Sequence, residues 1–234
     1  MIDSETAEHI RTLTLAFWQE EVTKPQFVAQ AVGKEIGHRI ASLVEERTTA
    51  LLEQTFRTAR QRNRQGKAVD RSMGDIWVFS QGIFNPINVK AGEANQGGQP
   101  NIVALRKLLR AILSHQIDSY YLLIVKMVIG KDSIALNNVY LADILDHLDY
   151  VAFDSGPGQM MLKEKSFYAM MDQGSAPAQL TFDQKIERLF GLLDDADHRL
   201  IENRARVRAT IDEMHKIYVA NKDHPLNQSG LNLQ

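Results

Sequence analysis

Two short runs of branched and aromatic residues, joined by a tight turn, constrain this sequence more than any other feature. The runs are Ile76–Phe79 and Ile83–Lys90, and a Gln-Gly dipeptide lies in the turn between them. This pattern predicts a β-hairpin, whose two outer ends lie side by side. Residues two apart on a strand project from the same face. We therefore expect Asp75, Asn88 and Lys90 to meet at one end of the hairpin.

The three residues that meet there suit a metal ion and a phosphate. Asp75 supplies a carboxylate and Asn88 an amide oxygen, and Mg2+ prefers oxygen ligands of both kinds. Lys90 supplies a cation that can face a phosphate. Considered separately, Asp75 is typical of a turn or strand cap, and Lys90 is typical of a solvated strand end. The prediction of a metal and phosphate site therefore depends on their joint placement.

Composition narrows the class of protein. The chain has 234 residues with 44% hydrophobic and 24% charged residues, which is ordinary for a globular domain. It contains no cysteine, which excludes disulfides, thiol catalysis and cysteine-ligated metals. No apolar run reaches the roughly 18–20 residues of a membrane span, and the acidic N-terminus is unlike a signal peptide. We expect a soluble, cytoplasmic protein without membrane contact.

Charge gives a local signal only. The net charge of −2 provides no argument for a nucleic-acid partner. One basic stretch precedes Asp75, and it is either the solvated end of a helix or an edge that contacts phosphates. Its basic residues are Arg57, Arg60, Arg62, Arg64, Lys67 and Arg71.

The order of predicted elements indicates an α/β fold with a mixed central sheet, in one domain over residues 1–234. Helical periodicity covers four segments, and branched and aromatic runs mark the strands. The predicted helices are 4–21, 26–64, 102–115 and 181–219. The predicted strands are the hairpin over 74–90, then 120–128 and 148–153, with a loop at 91–101, a turn at 155–158 and a loose tail from 221.

The spacing of the hairpin residues resembles a known motif. Asp75, twelve intervening residues and then Asn88-Val89-Lys90 resemble the PD-(D/E)XK nuclease motif, with Gly74 in place of its proline. The run Gly74–Val78 and the segment Gln99–Ile102 are similar to segments of the EcoRV/HincII-like group of type II restriction endonucleases. The resemblance covers about residues 73–128.

The resemblance implies a fold, an activity and partners. The fold would be a restriction-endonuclease-like core with a mixed sheet flanked by long helices. The activity would be Mg2+-dependent hydrolysis of both strands of double-stranded DNA at a specific site, leaving 5′-phosphate ends. The enzyme would work as a homodimer, for which the N-terminal helices (about 4–64) are the candidate interface. A companion methyltransferase would act on the same DNA site.

The resemblance also implies roles for individual residues. Asp75 would bind the metal, Asn88 would occupy the position of the usual second acid, and Lys90 would lie near the attacking water. Because Asn88 brings no charge, the sequence leaves open whether it is native or replaces an Asp. The missing charge is expected from Glu35, which matches a helix carboxylate, or from Glu93, with Glu45 and Glu46 as alternatives to Glu35. The expected DNA-contacting residues are Arg71, Asn95, Gln96, Gln99 and Asn101.

Two other functions remain open at this point. The first is a repair or recombination nuclease of the same fold, which cuts by DNA structure rather than by sequence. The second is a non-catalytic helical protein in which residues 26–64 and 181–219 form a coiled pair and the motif at Asp75 is coincidental.

Overall fold

A mixed β-sheet forms the centre of residues 1–189, one of two units into which the chain divides; the other is residues 190–234. The structure is a computed structural model, and it describes residues 1–31, 36–60, 73–94, 99–130, 133–153, 158–174 and 180–221. Its helices are α1 (Ser4–Glu21), α2 (Pro25–Ala31), α3 (Ile36–Thr55), α4 (Leu105–Leu113), α5 (Glu164–Asp172) and α6 (Phe182–Asn221). Its strands are β1 (Thr58–Ala59), β2 (Ile76–Ser80), β3 (Ile83–Glu93), β4 (Asn101–Ala104), β5 (Tyr121–Ile129), β6 (Ile134–Asp143), β7 (Val151–Phe153) and β8 (Gln159–Leu162).

The central sheet has the strand order β1-β2-β3-β5-β6. The strands β3 and β5 are parallel, and the other neighbours are antiparallel. A second, three-stranded sheet has the order β4-β8-β7. The mixed α/β architecture predicted from the sequence is therefore confirmed.

The hairpin β2–β3 closes through a two-residue turn. Gln81 and Gly82 have φ angles of 49° and 84°, both left-handed, as a type I′ turn requires. Pairing runs from Ser80 opposite Ile83 to Ile76 opposite Ile87. The turn fixes the register, so the position of Asp75 beside β3 follows from local sequence alone.

The core lies between one face of the central sheet and the helices α1 and α3. Alternate residues of the strands, such as Ile87 and Val89 on β3, are buried in this core. Trp18 on α1 joins α3 through a hydrogen bond of 2.9 Å from Nε1 to Oγ1 of Thr48. Because side chains alternate along a strand, Asn88 projects from the other face of the sheet.

Several predicted boundaries are wrong. The helix expected over 26–64 is two helices, and α3 ends at Thr55 because the next residues form β1 and pair with β2. The helix expected over 102–115 begins only at Leu105, since Asn101–Ala104 form β4 and pair with β8.

Three further elements differ from the sequence-based prediction. The loop expected from residue 91 begins later, because β3 continues to Glu93 beside β5. Residues 148–150 form a turn of 3-10 helix, and only Val151–Phe153 form the expected strand. The sequence also did not predict β6, β8 or α5, whereas the helices over 4–21 and 181–219 and the strand over 120–128 are confirmed.

The expected turn over 155–158 and the tail from 221 lie almost wholly outside the described residues. No helix in the described part of the chain is long and apolar enough to cross a membrane.

Candidate active site

Asp75 is held against β3 at the open end of the hairpin. Its backbone N–H donates to the carbonyl of Ile87 at 2.9 Å, and its carboxylate Oδ2 accepts from the N–H of Val89 at 2.7 Å. The side chain is half-buried. The predicted meeting of Asp75 with the segment that carries Asn88 and Lys90 is therefore present in the structure.

The side-chain amide of Asn88 is held in place through its nitrogen. Its Nδ2 donates to the carbonyl of Ile102 at 2.7 Å and to the hydroxyl of Tyr120 at 3.0 Å. That hydroxyl in turn donates to the carbonyl of Met73. Asn88 is only 7% exposed, and its buried Oδ1 has no hydrogen-bond partner among the residues that the structure describes. A buried amide oxygen without a partner is unusual and indicates a place for a ligand.

Glu45 on α3 meets Asp75 and completes a pair of carboxyl groups. The two side chains lie close enough for each to affect the pKa of the other. Burial raises the pKa of Asp75 above its usual value, against the opposing charge of Lys90. Burial and then the charge of Asp75 raise the pKa of Glu45 as well. Two carboxyl groups that resist ionisation together are a favourable place for a divalent cation, which would neutralise both.

Two cations face this pair. Lys90 on β3 and Arg60 just after β1 both favour the ionised forms of Asp75 and Glu45. Arg60 is itself held by Glu53, with Nε 2.5 Å from its carboxylate oxygen. The basic stretch before Asp75 therefore contributes at least Arg60 to the site, and Arg60 is not in a helix as the sequence analysis expected.

The ligand set at this site fits a hard divalent cation. Asp75 and Glu45 offer two carboxylates, the hard oxygen ligands that such a cation prefers over the nitrogen and sulfur ligands that zinc prefers. Among the described residues, no group of three or more His, Asp or Glu side chains is gathered around one point. A third oxygen ligand would have to come from another group, and the candidate is Oδ1 of Asn88, whose neighbour Val89 donates to Asp75.

The polar residues at the start of β4 are linked to the candidate site through the neighbouring residue Ile102. Gln99 and Asn101 are exposed, and the carbonyl of Pro100 accepts from the N–H of Leu162 on β8 at 3.0 Å. The next residue, Ile102, accepts the hydrogen bond from Asn88. The start of β4 is thus tied both to the second sheet and to the candidate site.

The remaining predicted residues divide into two groups. Glu93 lies three residues beyond Lys90 on β3 and projects from the opposite face of the strand, and its role in supplying the missing charge stays a prediction. The other group lies outside the described residues, and its roles stay predictions; it consists of Glu35, Arg71, Asn95 and Gln96.

Sequence reasoning missed the role of Tyr120, named Arg60 only as one of six residues in a basic stretch, and ranked Glu45 below Glu35. Tyr120 was read only as the start of a buried strand. The position of Glu45 along α3 could have indicated its role. Val44 is buried in the core, and Glu45, the next residue, therefore lies at the border of the buried face of α3.

Comparisons with known proteins do not assign a family. A scan against protein families finds no match, and no curated protein matches the chain.

Proposed function

We propose that this protein is a Mg2+-dependent, site-specific endonuclease that hydrolyses both strands of double-stranded DNA, like the type II restriction endonucleases of the PD-(D/E)XK superfamily. The observation that carries the proposal is the meeting of Asp75, Glu45 and Lys90 at the strand segment that carries Asn88. A protein of this kind would act in the cytoplasm.

The proposed reaction is the attack of water on a backbone phosphate. The water oxygen bonds to phosphorus, the bond from phosphorus to the 3′ oxygen breaks, and the products are a 5′-phosphate and a 3′-hydroxyl. Mg2+, held by Asp75, Glu45 and Oδ1 of Asn88, would neutralise phosphate charge and lower the pKa of a bound water. Lys90 would orient the attacking water and stabilise the charge that develops on phosphorus.

Asn88 and Tyr120 would fix the geometry of this site. The two hydrogen bonds from Nδ2 of Asn88 leave its amide only one orientation, in which Oδ1 is the free atom. The burial of Tyr120 raises the pKa of its hydroxyl, which stays protonated and keeps its hydrogen bond to Met73. Tyr120 is thus a positioning residue that acts through Asn88.

Recognition of a specific sequence is favoured by the position of Gln99 and Asn101. Side-chain amides read adenine through two hydrogen bonds in the major groove. Both residues are exposed, and Asn101 immediately precedes the residue that contacts Asn88. Base contacts at the start of β4 would thus be transmitted directly to the catalytic residues.

The test is cleavage of plasmid DNA by the wild-type protein and two lysine variants. Lys90→Met keeps the aliphatic stem but removes the cation, so we expect the single-turnover cleavage rate to fall by about 10²–10³-fold. Lys165→Met removes a lysine that is exposed on α5, and the rate should stay within about twofold of wild type.

The outcomes separate the candidate functions. Equal rates for Lys90→Met and wild type would reject Lys90 as a catalytic residue. Cutting of branched DNA in preference to linear duplex, without discrete fragments, would favour a repair or recombination nuclease. A complete absence of Mg2+-dependent cleavage on all substrates would favour the helical interaction protein.

A further inference from the structure

The second unit of the chain presents a long helix with exposed apolar side chains. Residues 190–221 continue α6, and the large apolar side chains that it exposes have exposed fractions of 41–59%. They are Phe190, Ile201, Val207, Ile211, Met214 and Val219. Isolated exposed apolar residues are normal, but several on the same helix are a reason to look for a partner.

Four of these residues, Phe190, Val207, Ile211 and Met214, follow the spacing of a coiled coil, and Ile201 and Val219 lie outside it. Starting from Phe190, residues at alternating intervals of three and four lie on one face, the spacing with which two helices pack side by side. We call these eight residues the seam: Phe190, Leu193, Asp197, Leu200, Arg204, Val207, Ile211 and Met214. Both ends of the seam are apolar, and its middle contains one acid and one base.

The two charges in the seam determine which pairing is favourable. Two copies in parallel and in register would place Asp197 against Asp197 and Arg204 against Arg204, and like charges in the centre of an interface are strongly unfavourable. Two antiparallel copies centred on residue 202 would place Asp197 of each copy opposite Val207 of the other, less than one helical turn from its Arg204. The same register would pack Phe190 against Met214 and Leu193 against Ile211.

A wider charge pattern agrees with the antiparallel register. The turn before the centre carries Asp197 in the seam and Asp194 beside it, and the turn after the centre carries Arg204 in the seam and Arg208 beside it. Antiparallel pairing about residue 202 brings the acidic turn of each helix beside the basic turn of the other. A helix with this symmetry is complementary to itself.

We propose that the seam binds a second copy of the same chain as an antiparallel, two-fold coiled coil. The contact would be isologous, with Asp197 and Arg204 forming two symmetric ion pairs at its centre. The proposal does not require the protein to be a nuclease, and it assigns the dimer contact to α6 rather than to the N-terminal helices.

The test measures the monomer–dimer equilibrium of the full chain by sedimentation velocity over a wide concentration range. The variants are Asp197→Arg, Arg204→Asp and the double exchange of both residues. The matched controls, Asp195→Arg and Arg199→Asp, make the same charge changes at exposed positions of α6 outside the seam. Circular dichroism checks that every variant keeps its helix content.

We expect a wild-type dimer whose Kd rises by about tenfold or more in each single seam variant, because like charges then meet at the centre. The double exchange should restore the Kd to within about threefold, and the controls should change it by no more than that. A wild-type monomer at all concentrations, a dimer that the single exchanges do not weaken, or a double exchange that fails to restore dimerisation would each overturn the proposal.

Discussion

At the scale of single residues, the carboxyl groups of the candidate site reduce the stability of the folded protein when they ionise. Burial raises the pKa of Asp75, and that carboxyl lies against Glu45, whose pKa is raised too. The folded chain therefore holds two groups whose ionisation is less favourable than in the unfolded chain. Such a cost is common at functional sites, where a bound cation or substrate removes it.

The raised pKa of Asp75 predicts how the stability of the folded protein changes with pH. A carboxyl with a raised pKa contributes stability that is complete below its ordinary pKa, near 4, and is lost as the pH rises through the raised value. Asp75→Asn cannot ionise, and its amide oxygen can still accept from Val89. In EDTA, we expect this variant to be about 0.5–2 kcal/mol more stable than wild type near pH 8, and equally stable near pH 4.

Thermal unfolding of both proteins between about pH 4 and about pH 8 checks this expectation. Asp195→Asn, at an exposed position of α6, is the control and should show no pH-dependent difference. A lower stability of Asp75→Asn than of wild type near pH 8 would contradict the description of Asp75 and Glu45 as two carboxyl groups that resist ionisation together.

Which site residues the sequence could predict depends on their distance along the chain. Asp75, Asn88 and Lys90 lie on one hairpin, so local spacing brings them together. Glu45 and Tyr120 arrive from α3 and from the start of β5, through packing that no local pattern encodes. The role of the Asn88 amide could not be predicted from the sequence either. Only the structure shows that it donates to Ile102 and Tyr120, and these bonds suit an Asn and not an ionised Asp.

At the scale of elements, the sequence predicted those with strong local periodicity. The hairpin, α1, β5 and α6 carry such patterns and are confirmed. β4 was read as helix because the run from Leu105 is amphipathic and the apolar pair before it extends that pattern. Only pairing with β8, which is distant in the sequence, makes Asn101–Ala104 a strand.

Asn88 joins two of these elements, since it lies on β3 and donates to β4. Asn88→Asp places a carboxylate where Nδ2 donates to the carbonyl of Ile102, so without metal we expect a loss of about 1–3 kcal/mol. Because the new carboxylate would join Asp75 and Glu45, Mg2+ should return part of that stability. The measurement is the unfolding midpoint with EDTA and with Mg2+.

Asn85→Asp is the matched control on the same strand. Asn85 is also buried, and its Nδ2 donates to the carbonyls of Val78 and Ile83 at 3.4 and 3.3 Å. This variant should lose stability by a similar mechanism without recovery in Mg2+. Equal recovery of both variants, or of neither, would contradict the placement of Asn88 at a cation site.

At the scale of the whole molecule, the sequence-based expectation of dimerisation through the N-terminal helices stays a prediction. Ile10 and Trp18 of α1 are fully buried in the core of their own unit, so this apolar face is already used. α3 likewise packs its buried residues on the central sheet, which argues against the coiled pair of helices that a non-catalytic protein would need. A two-fold dimer through α6 would match a palindromic DNA site.

The central claim concerns DNA hydrolysis, and the most direct measurement is digestion of unmethylated phage DNA by the purified wild-type protein. With Mg2+, we expect discrete fragments that carry 5′-phosphate ends, and with EDTA we expect intact DNA. Intact DNA in both conditions, over several DNAs and also with Mn2+, would contradict the assignment of Asp75, Glu45, Asn88 and Lys90 as an endonuclease site.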